Sequence, residues 1–173
     1  MFDKTLDPVT FEVIRNALHS ITDEMMITIQ RTGRSPTTTQ AFDFSAALCD
    51  GDGDVLDQGL AIPIHMGGIP DAVRACIAKF KGRIYSGDAI ILNDPYSGGL
   101  HLPDIFCVYP IFHSEKLFGF SVTVVHHMDV GGRAPGSMAH DSTEIYQEGL
   151  RIPPTKLTER GVMSEVLTDL IEL

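Results

Sequence analysis

The stretch that decides the fold is residues 93–104, which read NDPYSGGLHLPD. The apolar run AIIL precedes it and the apolar run IFCV follows it. Two buried strands are therefore predicted on either side of a loop rich in glycine, proline, asparagine and aspartate. Within this loop, an imidazole at His101 and a carboxylate at Asp104 lie three residues apart. Loops held by rigid strands are common places for chemistry, so we expect this one to form part of a functional site.

A second polar cluster stands at the end of a neighbouring predicted strand. The strand predicted over residues 117–125 runs directly into His126 and His127. Neighbouring residues of a strand point to opposite faces. At most one of these two histidines is therefore expected to join His101 and Asp104.

The two clusters together offer the ligands of a divalent metal. Two imidazoles and one carboxylate suit zinc, manganese or iron, and they leave positions open for water or substrate. Asp129, which follows the paired histidines, could hold a ligand imidazole from outside the coordination sphere. Spacing alone does not decide for a metal, because short histidine–aspartate patterns arise by chance and paired histidines can be structural.

Composition excludes several classes of function. The 173 residues are enough for a single domain over positions 1–173, and 43% of them are hydrophobic. A net charge of -10 and the absence of a basic stripe argue against nucleic acid as a partner. No apolar run is long enough to span a bilayer. Three irregularly spaced cysteines and no recognisable signal peptide predict a cytoplasmic protein without a disulfide framework.

The predicted fold class is α+β, with a mainly antiparallel sheet and flanking helices. A helix is predicted from Pro8 to about Thr32, with Asp7 as its N-cap and apolar residues at helical spacing. A shorter helix is predicted over 71–80, and both helices are expected to pack on the sheet. An amphipathic helix begins at Ser164 and is still running at the last residue, so a fragment of a longer protein is expected.

Two further stretches allow more than one interpretation. The sequence DGDGD at 50–54 resembles the start of a calcium loop, but Val55 and Ala61 occupy positions where that loop needs glycine and glutamate. A tight hairpin turn is the preferred interpretation. Residues 58–70 contain so many glycines and prolines that no regular element is predicted. His65, within this stretch, either points into a site or is hydrogen-bonded under a loop.

The order of these motifs resembles that of a known family, the hydantoinase B/oxoprolinase family. The resemblance extends from about residue 7 to residue 157, nearly the whole chain. It rests on NDPYxGGxHxPD at 93–104, HxxDxGG at 126–132, PGS at 135–137, QEG at 147–149, DFSAAL at 43–48 and IHMG at 64–67.

The resemblance implies a fold, a reaction and a set of residues. It implies the amino-terminal part of a larger subunit that works with a hydantoinase A-like subunit and with the remainder of the B subunit. The partner would use ATP to phosphorylate a carbonyl oxygen of a small cyclic amide, and a metal-activated water would then open the ring. The metal ligands would be His101, Asp104 and His126. His126 is preferred to His127 because related sequences keep a histidine three residues before the aspartate of the DxGG motif.

The resemblance also implies two catalytic candidates and leaves other functions open. Asp129 would orient a ligand or act as a base, and His65 would line the pocket. One alternative is the corresponding part of a ketone carboxylase of the acetone or acetophenone type. Another is a catalytically silent fragment or assembly subunit.

Overall fold

The computed structural model describes residues 7–59 and 62–172. Its helices are α1 Pro8–Thr32, α2 Pro36–Thr39, α3 Pro63–Lys79 and α4 Glu165–Ile171, with short 3-10 turns at Pro95–Ser97 and Ile145–Gln147. Its strands are β1 Phe44–Asp50, β2 Val55–Gln58, β3 Ala89–Leu92, β4 Asp104–His113, β5 Lys116–His126, β6 Thr155–Glu159 and β7 Val162–Met163. None of the helices in these two ranges has the length and apolar character needed to cross a membrane.

The strands form one seven-stranded sheet in the order β2-β1-β5-β4-β3-β6-β7. Every pair of neighbouring strands is antiparallel. The predicted α+β class with a mainly antiparallel sheet is therefore confirmed. The long β4–β5 hairpin lies at the centre, and it brings the ends of the two predicted polar clusters side by side.

Helix α1 forms as the sequence predicts. The carboxylate of Asp7 accepts hydrogen bonds from the backbone amides of Val9 and Thr10, and Gly33 closes the other end of the helix. The helix lies against β1 and β2, and the Ser121 hydroxyl of β5 reaches the Met25 sulfur. α1 therefore covers one face of the sheet.

Helix α3 covers the opposite face and corrects the prediction for residues 58–70. It begins at Pro63, eight residues before the predicted start at residue 71, and it continues through Pro70. Pro63 stands in the first helical turn, where a missing N–H leaves no intrahelical bond unmade. A Cβ atom at Gly68 would lie 2.9 Å from the Leu100 side chain and 3.3 Å from the Phe106 ring of β4, so glycine here allows the helix to approach the loop and the sheet closely. The proline at 63 and the glycine at 68 are therefore compatible with a packed helix. The local sequence does not reveal this, because the packing partner is distant in sequence.

One buried core joins α3 to the sheet. Free cysteines, alanines and branched or aromatic side chains make up this core, and burial of apolar side chains is the main favourable term in folding. Its members are Ala47, Cys49, Ile69, Ala72, Val73, Cys76, Ile90, Leu92, Phe106, Val108, Phe120, Val122 and Val124. The core holds rigidly the strand ends that carry the candidate site.

The acidic stretch at 50–54 is a hairpin turn, as predicted. The backbone amide of Asp50 donates to the carbonyl of Asp54, and the Asp50 carboxylate accepts from the amides of Asp52 and Asp54. One of the two positions that argued against a calcium loop, Ala61, lies outside the described residues. Helix α4 is confirmed, with Ser164 as its N-cap, but it ends at Ile171 and Glu172 is its C-cap, so the prediction of a helix still running at the last residue is wrong.

Candidate metal centre

The ends of three adjacent strands bring the candidate site together. In the β4–β5 ladder, Asp104 is paired directly with His126. On the other side of β5, the backbone amide of His126 donates to the carbonyl of Asp43, the residue before β1. Because these strands pair in register, Asp43, Asp104 and His126 lie next to one another at the same end of the sheet.

The loop before β4 adds a second imidazole. The Asp94 carboxylate caps the 3-10 turn by accepting from the Tyr96 amide and the Ser97 hydroxyl. Further along, the amide of Asp104 donates to the carbonyl of His101. This local turn folds the His101 side chain back toward the carboxylate of Asp104.

The three predicted metal ligands meet around one carboxylate. His101 Nδ1 lies 2.9 Å from Asp104 Oδ2, and His126 Nδ1 lies 3.2 Å from Asp104 Oδ1. The centroids of the two imidazole rings are 5.2 Å apart. Each of the three residues offers a donor atom within 4.8 Å of the others, a separation that suits ligands of one ion.

His65 occupies the third side of the same carboxylate. Its Nε2 lies 3.4 Å from Asp104 Oδ2, and its Nδ1 lies 3.0 Å from the hydroxyl of Ser45. The ring is only 1% exposed. The two interpretations of His65 therefore coexist, because the residue is buried and hydrogen-bonded and also contacts the site.

Asp43 is a site residue that motif spacing did not single out. Its carboxylate oxygens lie 3.8 Å from His65 Nε2 and 3.9 Å from His126 Nδ1. Together with His65 and Asp104 it forms a second group whose donor atoms are close enough to share an ion. The signal in the sequence is the DFSAAL motif, which places an aspartate immediately before a buried strand.

The electrostatics of the cluster favour an ionised carboxylate. Burial opposes the charge on Asp104, but contacts with the rings of His101 and His65 outweigh burial and hold the pKa of Asp104 below its usual value. In return, the Asp104 carboxylate raises the pKa of His101, while burial lowers it by less. A buried anion surrounded by imidazoles is the charge pattern that a divalent cation completes.

One buried atom of the cluster lacks a hydrogen bond. His101 Nδ1 lies 2.9 Å from the Asp104 carboxylate but has no hydrogen-bond partner among the described residues. Buried polar atoms are nearly always paired, so an unpaired ring nitrogen that faces a carboxylate fits a metal ligand. The donor chemistry therefore fits zinc, manganese or iron.

A pocket of about 520 Å³ opens over the cluster. Its lining includes the polar residues Asp43, His65, His101, Asp104 and His126 together with four apolar residues. The apolar residues are Ile62, Ile64, Leu100 and Met138. Apolar side chains beside a few convergent polar groups are typical of small-molecule sites.

His127 and Asp129 lie outside this pocket. His127 lines two other cavities, and burial is the main cause that lowers its pKa. The Asp129 carboxylate accepts from the Ser137 hydroxyl and from the amides of Gly131 and Gly136. These bonds hold its own loop together, and the role of Asp129 as an orienting group or base stays a prediction.

Comparisons of this chain with family models and with known proteins point to the same family. Residues 7–173 match the family model described as hydantoinase B/oxoprolinase. The chain is 40% identical over 168 residues to the caprolactamase subunit beta of Pseudomonas jessenii, covering 96% of this chain and 29% of that subunit. It is 34% identical to 5-oxoprolinase 1 of Arabidopsis thaliana, covering 94% of this chain and 13% of that protein.

Solved structures agree with the sequence comparison. The crystal structure of ATP-dependent caprolactamase from Pseudomonas jessenii superposes with a TM-score of 0.90 at 38% identity, covering 97% of this chain and 29% of the other. A nucleotide-free acetone carboxylase structure shares the fold with a TM-score of 0.88 at 24% identity, covering 95% of this chain and 22% of that one. The chain thus spans less than a third of the length of each of these relatives.

Proposed function

Since the chain belongs to the hydantoinase B/oxoprolinase family, we propose that it forms the metal-holding part of an ATP-dependent enzyme that opens cyclic amides. The observation that carries the proposal is the Asp104 carboxylate, which is buried among three imidazoles in the lining of an open pocket. Relatives named as a caprolactamase and a 5-oxoprolinase support a substrate whose reacting group is a ring amide.

The proposal includes two protein partners. One is an ATP-binding subunit of the hydantoinase A type, which would phosphorylate the carbonyl oxygen of the substrate. The other is the remainder of the B subunit, since the matched relatives are more than three times as long as this chain. The name of the caprolactamase relative, subunit beta, supports an enzyme of more than one subunit.

The proposed metal ligands are His101, Asp104 and His126. Asp43 lies 3.9 Å from His126 Nδ1 and forms a second close group with His65 and Asp104. Zinc, manganese or iron accepts this mixture of imidazole and carboxylate. When bound, such a metal lowers the pKa of a water ligand or polarises a carbonyl. All three ligands line the pocket and the His101 side chain is 39% exposed, so water and substrate can reach the cluster.

The surrounding residues have separate proposed tasks. If the Ser45 hydroxyl donates to His65 Nδ1, the ring proton sits on Nε2 and points at Asp104 Oδ2. That contact would keep the carboxylate ionised and in one orientation. The apolar side chains of Ile64 and Leu100 would receive the hydrocarbon part of the ring and exclude bulk water. Asp129 would act by holding the 129–137 loop, next to the paired histidines.

The overall reaction balances with these parts. Water adds to the activated carbonyl carbon, the carbon–nitrogen bond breaks and the ring nitrogen takes up a proton. The product of this step is an acyl phosphate, which still carries the phosphoryl group that the partner placed on the carbonyl oxygen. A second water hydrolyses the acyl phosphate to a carboxylate and phosphate. This chain would therefore supply the hydrolytic half of the reaction and not the ATP-binding half.

Metal content tests the ligand assignment. Wild-type protein and the variant His101→Ala are purified identically, loaded with Mn²⁺ or Zn²⁺, dialysed and compared by elemental analysis. His113→Ala is the matched control, because His113 is an exposed histidine at the end of the β4–β5 hairpin that is far from the site. We expect bound metal in wild type and control and its loss in His101→Ala. Equal metal content in all three proteins would contradict the proposal.

A ketone carboxylase is the second candidate function. Its support is the shared fold with acetone carboxylase. Product analysis of the enzyme assembled with its ATP-binding subunit separates the two reactions. A ring-opened amino acid formed without bicarbonate supports hydrolysis, whereas a ketone consumed only with bicarbonate supports carboxylation. No turnover of either substrate by the assembled enzyme would favour an assembly role.

A further inference from the structure

The buried side chain of Asn93 connects three segments of the chain next to the candidate metal centre. Asn93 follows β3 and is completely buried. Its Nδ2 donates to the carbonyls of Leu102 and Leu150, at 2.7 and 2.9 Å. Its Oδ1 accepts from the amide of Ile152 at 2.6 Å. Both amide donors and the acceptor are therefore occupied by backbone groups from other segments.

The bond to Leu102 has the most direct consequence for the site. The Leu102 carbonyl lies between His101 and Asp104 in the sequence, and the Leu102 side chain is itself buried. A peptide fixed at both its carbonyl and its side chain restricts the backbone on either side. The donor atoms of His101 and Asp104 are therefore held in place before any ligand arrives.

The backbone around Asn93 strengthens the same anchor. The Asn93 amide donates to the carbonyl of Ile152, and the Gly99 amide donates to the carbonyl of Asp94. A Cβ atom at Gly99 would lie 2.4 Å from the Asn93 carbonyl oxygen, so the loop doubles back tightly against the residue that anchors it. The 93–104 stretch is thus closed on itself as well as tied to residues 150–152.

We propose that Asn93 is a positioning residue that preorganises His101 and Asp104 for metal binding. The inference rests on the metal centre described under the proposed function. Asn93 has no described contact with the cluster's side chains, and it acts through the Leu102 peptide. Groups outside the coordination sphere that orient ligands affect metal affinity because a misplaced ligand must be moved at a cost on binding.

The test compares two buried polar hubs at opposite ends of β3. Asp88, before the strand, is also completely buried, and its carboxylate accepts from the amides of Tyr85 and Arg160 and pairs with Lys156. Variants of the 173-residue chain, Asn93→Ala, Asn93→Asp and Asp88→Asn, are titrated with Co²⁺ as a spectroscopic probe, and their Tm is measured without metal. We expect both Asn93 variants to raise the Kd for Co²⁺ about 10-fold or more and to alter its visible absorption. Asp88→Asn should lower Tm, but its Kd for Co²⁺ and its absorption spectrum should equal those of the wild type.

The outcomes separate this inference from the proposal beneath it. Asn93→Asp keeps the acceptor for the Ile152 amide and carries the test if Asn93→Ala does not fold. If folded Asn93 variants bind Co²⁺ with the wild-type Kd, the positioning role is overturned and the metal centre stands. Loss of the fold in both variants would also overturn the positioning role, because Asn93 would then be needed for folding. An equal rise in Kd for Asp88→Asn would also overturn it. Failure of wild type to bind Co²⁺ would overturn both proposals.

Discussion

Asp104 and Asp129 occupy loops of similar composition, but their carboxylates face different groups. Each aspartate follows or precedes a glycine pair and lies near a histidine at the end of the central hairpin. Asp104 is buried, and both of its oxygens face imidazoles. Asp129 is exposed, and its oxygens accept hydrogen bonds from backbone amides and a hydroxyl of its own loop.

The difference between these loops shows what spacing leaves undecided. Hydrogen bonds to its own backbone fix the shape of the 129–137 loop. Asp104 is instead hydrogen-bonded to His126 Nδ1 and faces His101 Nδ1, which makes no hydrogen bond among the described residues. A carboxylate that already accepts several hydrogen bonds has little capacity left for a metal. From this comparison we propose that Asp104 belongs to the metal centre and that Asp129 supports the structure of its loop.

The strongest test of this comparison exchanges each carboxylate for its amide. Asp104→Asn removes the charge between the imidazoles, and we expect Mn²⁺ or Zn²⁺ affinity to fall by more than the ~10–100-fold typical of residues outside the coordination sphere. Asp129→Asn should leave that affinity unchanged. Calorimetric titration of both variants measures the effect. Equal losses would show that the two carboxylates act on the metal together.

A smaller effect is expected from the residues that orient Asp104. His65→Gln removes the ring that contacts Asp104 Oδ2, and Ser45→Ala removes the hydroxyl that fixes the ring. We expect each to weaken metal binding by about 10–100-fold, the range seen when a supporting contact is lost. His113→Gln, at an exposed histidine in the β4–β5 hairpin, serves as the control. A loss in His65→Gln as large as in Asp104→Asn would instead make His65 a metal ligand, and would suggest two ions sharing Asp104.

A substitution in the 129–137 loop should change the free energy of unfolding and leave the affinity for metal unchanged. Ser137 is buried, and its hydroxyl donates to Asp129 while accepting from the amides of Val130 and Gly132. Ser137→Ala leaves these groups unpaired, at a cost of about 1–3 kcal/mol in the free energy of unfolding. Denaturant titration gives this value, with the exposed Ser86→Ala as control. A change in metal affinity without a change in stability would reverse the assignment.

The smallest effect concerns the pH dependence of the same loop. Hydrogen bonds from the Ser137 hydroxyl and from the amides of Gly136 and Gly131 lower the pKa of Asp129 to about 2. A carboxyl whose pKa is lowered on folding stabilises the native state above its ordinary value of 3.8, and this contribution is lost as pH falls toward 2. Carboxyl NMR titration of wild type and Ser137→Ala should show the Asp129 pKa rising toward its ordinary value in the variant. An unchanged pKa would mean that the glycine amides alone hold the charge.

Much of the fold follows from local sequence. The apolar runs on either side of residues 93–104 predict β3 and β4, and the Asp7-Pro8 pair predicts the start of α1. These features succeed because strand burial and helix capping depend on neighbouring residues. The start of α3 was wrongly predicted, because Gly68 and Pro70 resemble breakers until their packing on the sheet is known.

The site residues also divide into those that a local motif predicts and those that only long-range contacts bring together. His101 and Asp104 share one loop, so a short motif links them, and the family resemblance adds His126. Asp43 and His65 reach the same point only through the pairing of β1 with β5 and the packing of α3, contacts between residues far apart in sequence. No spacing rule reports such contacts, which is why Asp43 was missed and His65 was left with two interpretations.

The β4–β5 hairpin should tolerate insertions near its turn better than near its open end. Its single irregularity lies between Ile111 and Phe112, close to the turn, while the pairing from Asp104 to Ile111 is continuous. A slip of one residue near the open end would turn His126 to the other face of the sheet. Insertions near residue 114 can instead be absorbed by the irregularity before they reach that end. The hairpin tip is therefore the place to graft a fluorescent label or affinity tag without disturbing the cluster.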